Sequence, residues 1–380
     1  MTTVVERDRQ AHLETLDEIC QSTVAAAAAA VDRDAAFPEQ SIDALRSHGF
    51  LGATSARDVG GMGLGIADAA VIVRRVAEEC GSSAMVLCMH YCGTAVLEAH
   101  ASDSIRREVA SGWHLSTLAF SEAESRSHFW APAGTAQRKG AGVTLDARKS
   151  WVTSASRATA FVWSSRPLEA DGASTLWLVP SDASGLVVGP PFDGMGLRGN
   201  DSSPVTATAV EIPASALLGA DGAGFDVMMG IVLPIFNVLS AACSVGLMEA
   251  AVRRTAAHAG ATRHSDTDAR LADLPTIRSY IARMRLKTDM ARALLDDTIG
   301  ALAAARPDAM LRVLECKAGA GETATEVLDL AMRVCGGAAF RKDVAVERYF
   351  RDARAGGVMA PTTDVLYDFI GKAVCGLPLF

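Results

Sequence analysis

Aromatic residues are scarce in this 380-residue sequence: they make up 6% of it, whereas hydrophobic residues make up 49%. A core with so few rings must consist largely of Ala, Val, Leu and Met, and that composition suits packed helices. The length is far above what one small core needs, so it predicts two or three domains, or one large composite.

Clusters of Lys and Arg are also missing, and the formal net charge is −8. A protein that binds nucleic acid or an anionic membrane surface needs a basic patch to neutralise phosphate charge. The sequence therefore argues against both partners and favours a small-molecule ligand.

Paired cysteine spacing is absent as well. The eight cysteines are scattered without a CxxC pair, and the N-terminus lacks the pattern of a signal peptide. We therefore expect free thiols and a cytoplasmic location. Cys88, His90 and Cys92 lie close in sequence, but no second pair of ligands stands nearby, so the sequence predicts no metal site.

Residues 227–248 contain no charged side chain, and by length alone they could cross a bilayer. Pro234, Asn237, Ser240 and Ser244 interrupt this run, and neither a flanking Lys/Arg cluster nor an aromatic belt marks a membrane interface. We interpret the run as a buried core helix that starts near Pro234, because proline is tolerated in a first helical turn.

The sequence pattern changes twice along the chain and predicts three domains. Residues 1–113 are rich in Ala and have helical apolar spacing. Residues 114–224 hold short β-branched runs between Gly, Asp, Ser and Pro clusters, which predicts a small antiparallel β domain. Residues 225–380 return to helical spacing, with apolar stripes over 277–295 and 310–334. The predicted fold class is therefore α+β, mainly α.

Residues 143–163 hold the feature that bears most on function. Two apolar runs flank a short connection that carries Trp151 and Thr153. In an extended backbone, side chains at positions i and i+2 point to the same face, so the indole and the hydroxyl could contact one planar ring together. The alternative is a half-buried Trp at the end of an ordinary amphipathic strand.

Four segments of the chain match known sequence motifs. Residues 119–127 are similar to a TEPxxGS segment, and Lys149-Ser150-Trp151-Val152-Thr153 is similar to a KxWIT segment. Residues 195–213 are similar to MGxRG followed by VxVP, and residues 335–353 are similar to GGxGY followed by VERxxRDA. In this order and spacing the segments resemble the acyl-CoA dehydrogenase family of flavoproteins, and the resemblance covers essentially the whole chain. It implies the family fold, in which an N-terminal helical domain and a middle β domain precede a C-terminal four-helix bundle.

The resemblance also implies FAD as the cofactor, usually in a homotetramer, and oxidoreductase chemistry on a CH–CH group. It implies that Trp151 stacks beside the isoalloxazine with the Thr153 hydroxyl near N5, and that Thr362 contacts the ribityl or pyrophosphate region. The other positions that it assigns to the flavin or to its acyl side are Phe120, Ser121, Ser127, Val152 and Asp364.

A further set of positions matches FAD contacts that family members make across a subunit interface. Arg263 corresponds to the Arg of the family's RxxFG loop, and its QxxGG segment corresponds to Arg333, Gly336 and Gly337. Arg side chains and closely approaching Gly backbone suit a pyrophosphate. Two departures weaken the match, because Phe-Gly does not follow Arg263 and because Arg333 replaces Gln. A solvated surface Arg is therefore the alternative for Arg263.

The positions of the catalytic machinery depart further from the family pattern. A dehydrogenase of this family needs a carboxylate that removes the α-proton of a thioester. The resemblance puts Ala360 at the usual glutamate and Phe236 at the second known location of this base. It puts Pro234 and Asn237 where family members have an Asp and an Arg that grip coenzyme A. The predicted substrate pocket, around Phe236, Asn237, Met359 and Ala360, therefore lacks the ordinary base.

Three hypotheses remain open at this point. The first is an FAD-dependent oxidoreductase of an acyl thioester or related small molecule, with the base displaced to Asp364 or, if helix 84–98 lines the cavity, to His90. A hydrogen-bonded helix histidine is the alternative for His90. The second hypothesis is a flavin-dependent oxygenase or elimination enzyme that removes no α-proton, and the third is a non-catalytic partner subunit. The substrate, the electron acceptor and any redox partner stay undetermined.

Overall fold

The first third of the protein is helical, as its composition predicts. The computed structural model describes residues 4–125, 128–266 and 268–379, so the predicted contact Ser127 lies outside the described residues. A π-helical turn, Cys20–Val24, joins the first two helices into one continuous rod. The helices of this third are α1 Val4–Ile19, α2 Ala25–Arg33, α3 Glu39–Ser47, α4 Ile66–Ala77, α5 Gly81–His100 and α6 Asp103–Ala110.

The middle third forms two four-stranded sheets, in the orders β1-β4-β5-β8 and β2-β3-β7-β6. The strands are β1 Ser116–Ala119, β2 Thr135–Lys139, β3 Gly142–Val152, β4 Ala160–Ser165, β5 Thr175–Pro180, β6 Leu186–Val188, β7 Ser203–Pro213 and β8 Leu217–Leu218. The strand pairs are antiparallel except for β1 and β4, which run parallel. This differs from the wholly antiparallel prediction because β2 and β3 intervene between β1 and β4, and so long a connection allows a parallel pair.

The backbone around Trp151 is not simply extended, which corrects the spacing argument for Trp151 and Thr153. Strand β3 continues through Trp151, whose φ is 56°, and its register with β7 shifts between Lys149 and Val152. Such a bulge adds a residue to one strand and re-aims the side chain that it carries. The two side chains therefore meet at one cavity through the bulge rather than through regular strand alternation.

Helices make up the last third. They are α7 Gly224–Val227, α8 Leu233–Ala261, α9 Pro275–Ala303, α10 Ala309–Cys335, α11 Val346–Ala353, α12 Ala355–Val358 and α13 Thr363–Val374. The long helices α8, α9 and α10 pack against one another, and α13 packs against α10. The apolar stripes predicted over 277–295 and 310–334 fall on α9 and α10.

The apolar run 227–248 belongs to a helix that is long and apolar enough to cross a membrane, Gly224–Ala261. Inside the protein, 89% of its most apolar window is buried, which agrees with the interpretation as a core helix. The predicted start near Pro234 is confirmed for α8, which begins at Leu233. The π-helical turn Met228–Val232 links α7 to α8 without a break, and Pro234 occupies the first turn of α8.

A buried carboxylate links the middle third of the chain to the last third through a hydrogen bond. Asp352 Oδ1 accepts a hydrogen bond of 2.6 Å from the Leu197 N–H, and burial raises the pKa of Asp352 to about 6. Its neighbour Arg351 pairs with Asp32 of α2 at 2.5 Å. A Cβ at Gly196 would lie 2.4 Å from the Arg351 carbonyl oxygen, so only glycine allows this approach. Loop 192–202 is thereby held against α11.

Candidate active site

A cavity of about 600 Å³ lies where the three thirds of the chain meet. Its walls come from β1, β3, loop 192–202 and helices α5, α8 and α12. The volume is within the usual range for small-molecule and cofactor sites. The cavity brings together many of the predicted site residues, namely Phe120, Ser121, Trp151, Thr153, Phe236, Met359, Ala360 and Thr362.

Trp151 presents a flat apolar surface at this cavity. Its indole is 59% exposed, which is unusual for the largest apolar side chain. The Phe192 ring supports it from loop 192–202, with centroids 4.1 Å apart and planes inclined by 27°. The indole is thus held in a fixed orientation and keeps surface available for a second flat ring.

Hydroxyl groups line the same part of the cavity. Thr153 Oγ1 lies 3.4 Å from Ser202 Oγ, and Ser121 and Ser150 also line the wall. The Thr153 carbonyl accepts a 2.8 Å hydrogen bond from Thr117 Oγ1 of β1, which fixes the backbone at this position. A planar apolar surface edged by hydroxyl donors fits an isoalloxazine ring, whose heteroatoms accept hydrogen bonds.

Apolar side chains form another part of the cavity lining, which is called the apolar end below. Leu118, Phe236 and Met359 line it, together with Met89 of α5. Ala360 lies in the same wall, at the position where the resemblance puts the usual glutamate. The methyl group of Ala360 and the ring of Phe236 can neither accept nor release a proton.

Glu122 is the one Asp or Glu among the described residues that line the cavity, and its oxygens are already engaged. Oε1 accepts a 2.5 Å hydrogen bond from Lys149 Nζ, and Oε2 accepts from the N–H groups of Ala133 and Gly134 at 2.6 and 3.0 Å. Lys149 also donates to the carbonyl and hydroxyl of Ser164. Burial lowers the pKa of Lys149 to about 8, against the opposing effect of the Glu122 charge. We therefore regard this network as structural support for the cavity wall.

The structure places His90 away from the cavity where a displaced base would act. The ring is completely buried and does not line the cavity, although its neighbour Met89 does. Nδ1 accepts from the Ser116 N–H at 3.1 Å, which leaves Nε2 as the donor to the Leu51 carbonyl at 2.8 Å. Burial lowers the pKa of His90 to about 4. The alternative of a hydrogen-bonded helix histidine is the one that the geometry supports.

Three other predicted residues also lie off the cavity. Asp364 lines a separate surface depression with His128 and Trp130, so it does not face Phe236 and Ala360 as a displaced base would. Asn237 is buried against α10, where its Nδ2 donates to the Val313 carbonyl at 3.2 Å. It points away from the cavity because successive residues of a helix are rotated by about 100°, and its neighbour Phe236 is the one that faces the cavity. Val152 packs into the core between the two sheets.

The residues predicted to contact FAD across a subunit interface do not line this cavity. Arg263 forms an exposed ion pair with Asp268 at 3.1 Å, and Arg333 lies over the Tyr280 ring with 6.0 Å to its centroid. Gly336 and Gly337 follow the end of α10, and Gly336 has a φ of 54°. Their role toward a neighbouring subunit stays a prediction.

Sequence reasoning missed two residues that shape the cavity. Phe192, which supports the indole, lies 41 residues along the chain from Trp151, and no motif connects the two. Lys317 of α10 is buried behind the wall that contains Ala360. The amphipathic spacing of α10 gave no signal for this lysine, because a charged residue in a helix is ordinarily solvated.

Comparisons with known protein families cover nearly the whole chain. Residues 6–112 match the family model described as acyl-CoA dehydrogenase, N-terminal domain. Residues 117–210 match the middle domain, and residues 222–375 match the C-terminal domain.

Individual relatives are distant in sequence but cover most of the chain. A probable acyl-CoA dehydrogenase, fadE25 of Mycobacterium leprae, is 23% identical over 369 residues, which cover 95% of this chain and 93% of the relative. The mitochondrial short-chain specific acyl-CoA dehydrogenase of Homo sapiens is 26% identical over 362 residues, covering 93% and 86%.

Two solved structures have the same fold. Butyryl-CoA dehydrogenase from Megasphaera elsdenii has a TM-score of 0.90 and 19% identity, covering 99% of both chains. PigA with FAD and proline also has a TM-score of 0.90 and 19% identity, again covering 99% of both chains.

Proposed function

Because the chain belongs to the acyl-CoA dehydrogenase family of flavin oxidoreductases acting on CH–CH groups, we propose that it uses FAD to oxidise an acyl thioester or related small molecule without the family's usual catalytic glutamate. The observation that carries this proposal is the cavity itself. It combines an exposed indole and nearby hydroxyls with an apolar end that contains Ala360 and Phe236, the residues that the resemblance puts at the two positions of the base.

The proposed flavin contacts are made by side chains that are already fixed in place. FAD supplies a two-electron acceptor when it is bound. Trp151 on Phe192 provides the flat surface for its ring, and Thr153 provides a hydroxyl beside it. Thr362 caps the N-terminus of α13, where backbone N–H groups favour an anion such as a pyrophosphate. Contacts from Arg263 and Arg333 belong to the proposed homo-oligomer, in which a second subunit completes the site.

Both carboxylate oxygens of Glu122 already accept hydrogen bonds, which favours a second candidate function on the same fold. A flavin-dependent oxygenase, or an elimination enzyme that removes no α-proton, needs no such base, and the described cavity lining offers no free carboxylate. A non-catalytic partner subunit is less well supported, because a chain without flavin has no use for an exposed indole beside hydroxyls. We keep a cytoplasmic location and an unidentified redox partner as parts of the proposal.

Anaerobic spectroscopy separates these candidates. We expect the purified protein to be yellow and to bleach when its thioester substrate is added without O₂. O₂ consumption that requires an added flavin reductase would instead select the oxygenase. A yellow protein that neither bleaches nor consumes O₂ with any thioester tested would count against both enzymatic candidates.

We predict that Ala360→Glu alone does not create efficient acyl-CoA oxidation. The new carboxylate would restore the base, but Pro234 and Asn237 still leave coenzyme A without its usual Asp and Arg, and Asn237 is turned toward α10. Steady-state rates with butyryl-CoA and an artificial electron acceptor test this. Turnover at rates typical of enzymes, about 1–1000 s⁻¹, would contradict the prediction. Ala355→Glu, at another position of the lining, controls for the added charge.

A further inference from the structure

Lys317 is a buried cation directly behind the apolar wall of the cavity. It lies on α10 and is 1% exposed. Its Nζ donates to three backbone carbonyls, those of Gly356 at 3.1 Å, Met359 at 3.0 Å and Pro361 at 2.8 Å. These carbonyls belong to one short segment that runs from α12 into the turn after it and is called loop 356–361 below. No ion pair to Lys317 occurs in the part of the chain that the structure describes, so these carbonyls replace water around the charge.

Three carbonyl acceptors match the three N–H donors of a charged ammonium, whereas a neutral amine has only two. Burial lowers the pKa of Lys317 to about 7, because it removes water from around the ammonium. The carbonyl dipoles offset part of that cost, and the arrangement exists only while loop 356–361 keeps its conformation. The lysine and the loop therefore hold each other in place.

This loop forms part of the cavity. Met359 and Ala360 line its apolar end, and the carbonyls of Met359 and Pro361, on either side of Ala360, are both tied to Lys317. The Phe236 ring, on the facing helix α8, lies 5.7 Å from Nζ by its centroid. Lys317 thus interacts with both elements that form this part of the lining, the loop and helix α8, although it does not line the cavity itself.

We propose that Lys317 is a positioning residue that fixes loop 356–361 against Phe236 and so sets which acyl chain lengths the cavity accepts. The inference rests on the proposed function, because it takes the apolar end of the cavity as the acyl site. Lys317 takes no part in proton transfer, since all three of its donors point to the loop and not into the cavity.

The test compares binding of butanoyl and octanoyl N-acetylcysteamine thioesters, which lack the nucleotide of coenzyme A and need no coenzyme A grip. Binding is followed through the change in the visible flavin spectrum, so no turnover is required. The variants are Lys317→Met, which keeps the length but removes every donor, and the milder Lys317→Gln. Lys342→Met is the matched control, because Lys342 is an exposed lysine that pairs with Glu347.

We expect the ratio of the two dissociation constants to change by about tenfold in Lys317→Met, which corresponds to about 1.4 kcal/mol of lost discrimination. The change in Lys317→Gln should be smaller. In the control Lys342→Met, both the FAD content and the ratio of the two dissociation constants should stay at wild-type values. A folded, flavin-loaded Lys317→Gln or Lys317→Met protein with an unchanged ratio would overturn the proposal.

Amide hydrogen exchange supplies a readout that needs no ligand. We expect faster exchange confined to residues 358–360 in both Lys317 variants, because the loop loses its anchor. If the wild type binds neither thioester, the proposed function fails and the selectivity claim with it, while exchange still decides whether Lys317 positions the loop. Unchanged exchange in that loop would refute the positioning role independently.

Discussion

Replacing Lys149 by methionine is expected to lower the free energy of unfolding by about 3–5 kcal/mol, because it leaves the buried Glu122 carboxylate without its cation. Both side chains are essentially inaccessible, at 0% and 2% exposure. Glu122 also accepts from the N–H groups of Ala133 and Gly134, so its wall of the cavity should loosen. Chemical denaturation measures the loss in stability, and flavin content measures the loss at the cavity.

The matched control is Lys139→Met on the same sheet. Lys139 pairs with Glu211 at 2.5 Å, but these side chains are 59% and 64% exposed. Solvent screening makes such pairs contribute little, so we expect no resolvable change in stability. Equal losses in Lys139→Met and Lys149→Met would show that burial is not what makes the Lys149 pair matter.

Replacing Gly246 by alanine is expected to cost about 1–3 kcal/mol through overpacking. A Cβ at this position of α8 would lie 2.3 Å from the Arg74 carbonyl oxygen and 2.7 Å from Ala77 Cβ, both on α4. The two helices would have to separate, and Phe236 on α8 would move with them. The thermal midpoint should therefore fall, and binding at the apolar end of the cavity should weaken.

Gly260→Ala, on the same helix, should have the opposite sign. Apart from its chain neighbours and the backbone of its own helix, no atom of the described residues lies within 4 Å of a Cβ built at Gly260. Alanine there removes backbone freedom from the unfolded chain and should stabilise the protein by roughly 0.4–1 kcal/mol. If the two alanine variants shifted stability in the same direction, close contact between α4 and α8 could not be the cause.

Much of the architecture could be predicted because local patterns determine it. Helical spacing indicated α9 and α10, and period-two runs between turn residues indicated most of the strands. The strand β8, with only two residues, gave no periodic signal. The parallel pairing of β1 and β4 depends on strand order, which local patterns do not contain.

The site was harder to predict, because it depends on contacts between distant segments. Trp151 and Thr153 do line one cavity, but a bulge that no residue pattern announced brings them there. His90 was proposed from its place on α5, but nearly every face of that helix is buried. Hydrogen bonds with Leu51 and Ser116, which are distant in sequence, direct its ring away from the cavity. Lys317 meets a loop some forty residues further along the chain, a contact that only the folded structure reveals.

A crystal structure of the FAD-loaded protein would test the central claim most directly. The account predicts an isoalloxazine ring packed on Trp151, with the Thr153 hydroxyl beside it. It also predicts Ala360 and Phe236, rather than a carboxylate, at the substrate side of the ring. A free Asp or Glu beside the reactive ring nitrogen would contradict the proposed chemistry, and a flavin bound away from Trp151 would contradict the site itself.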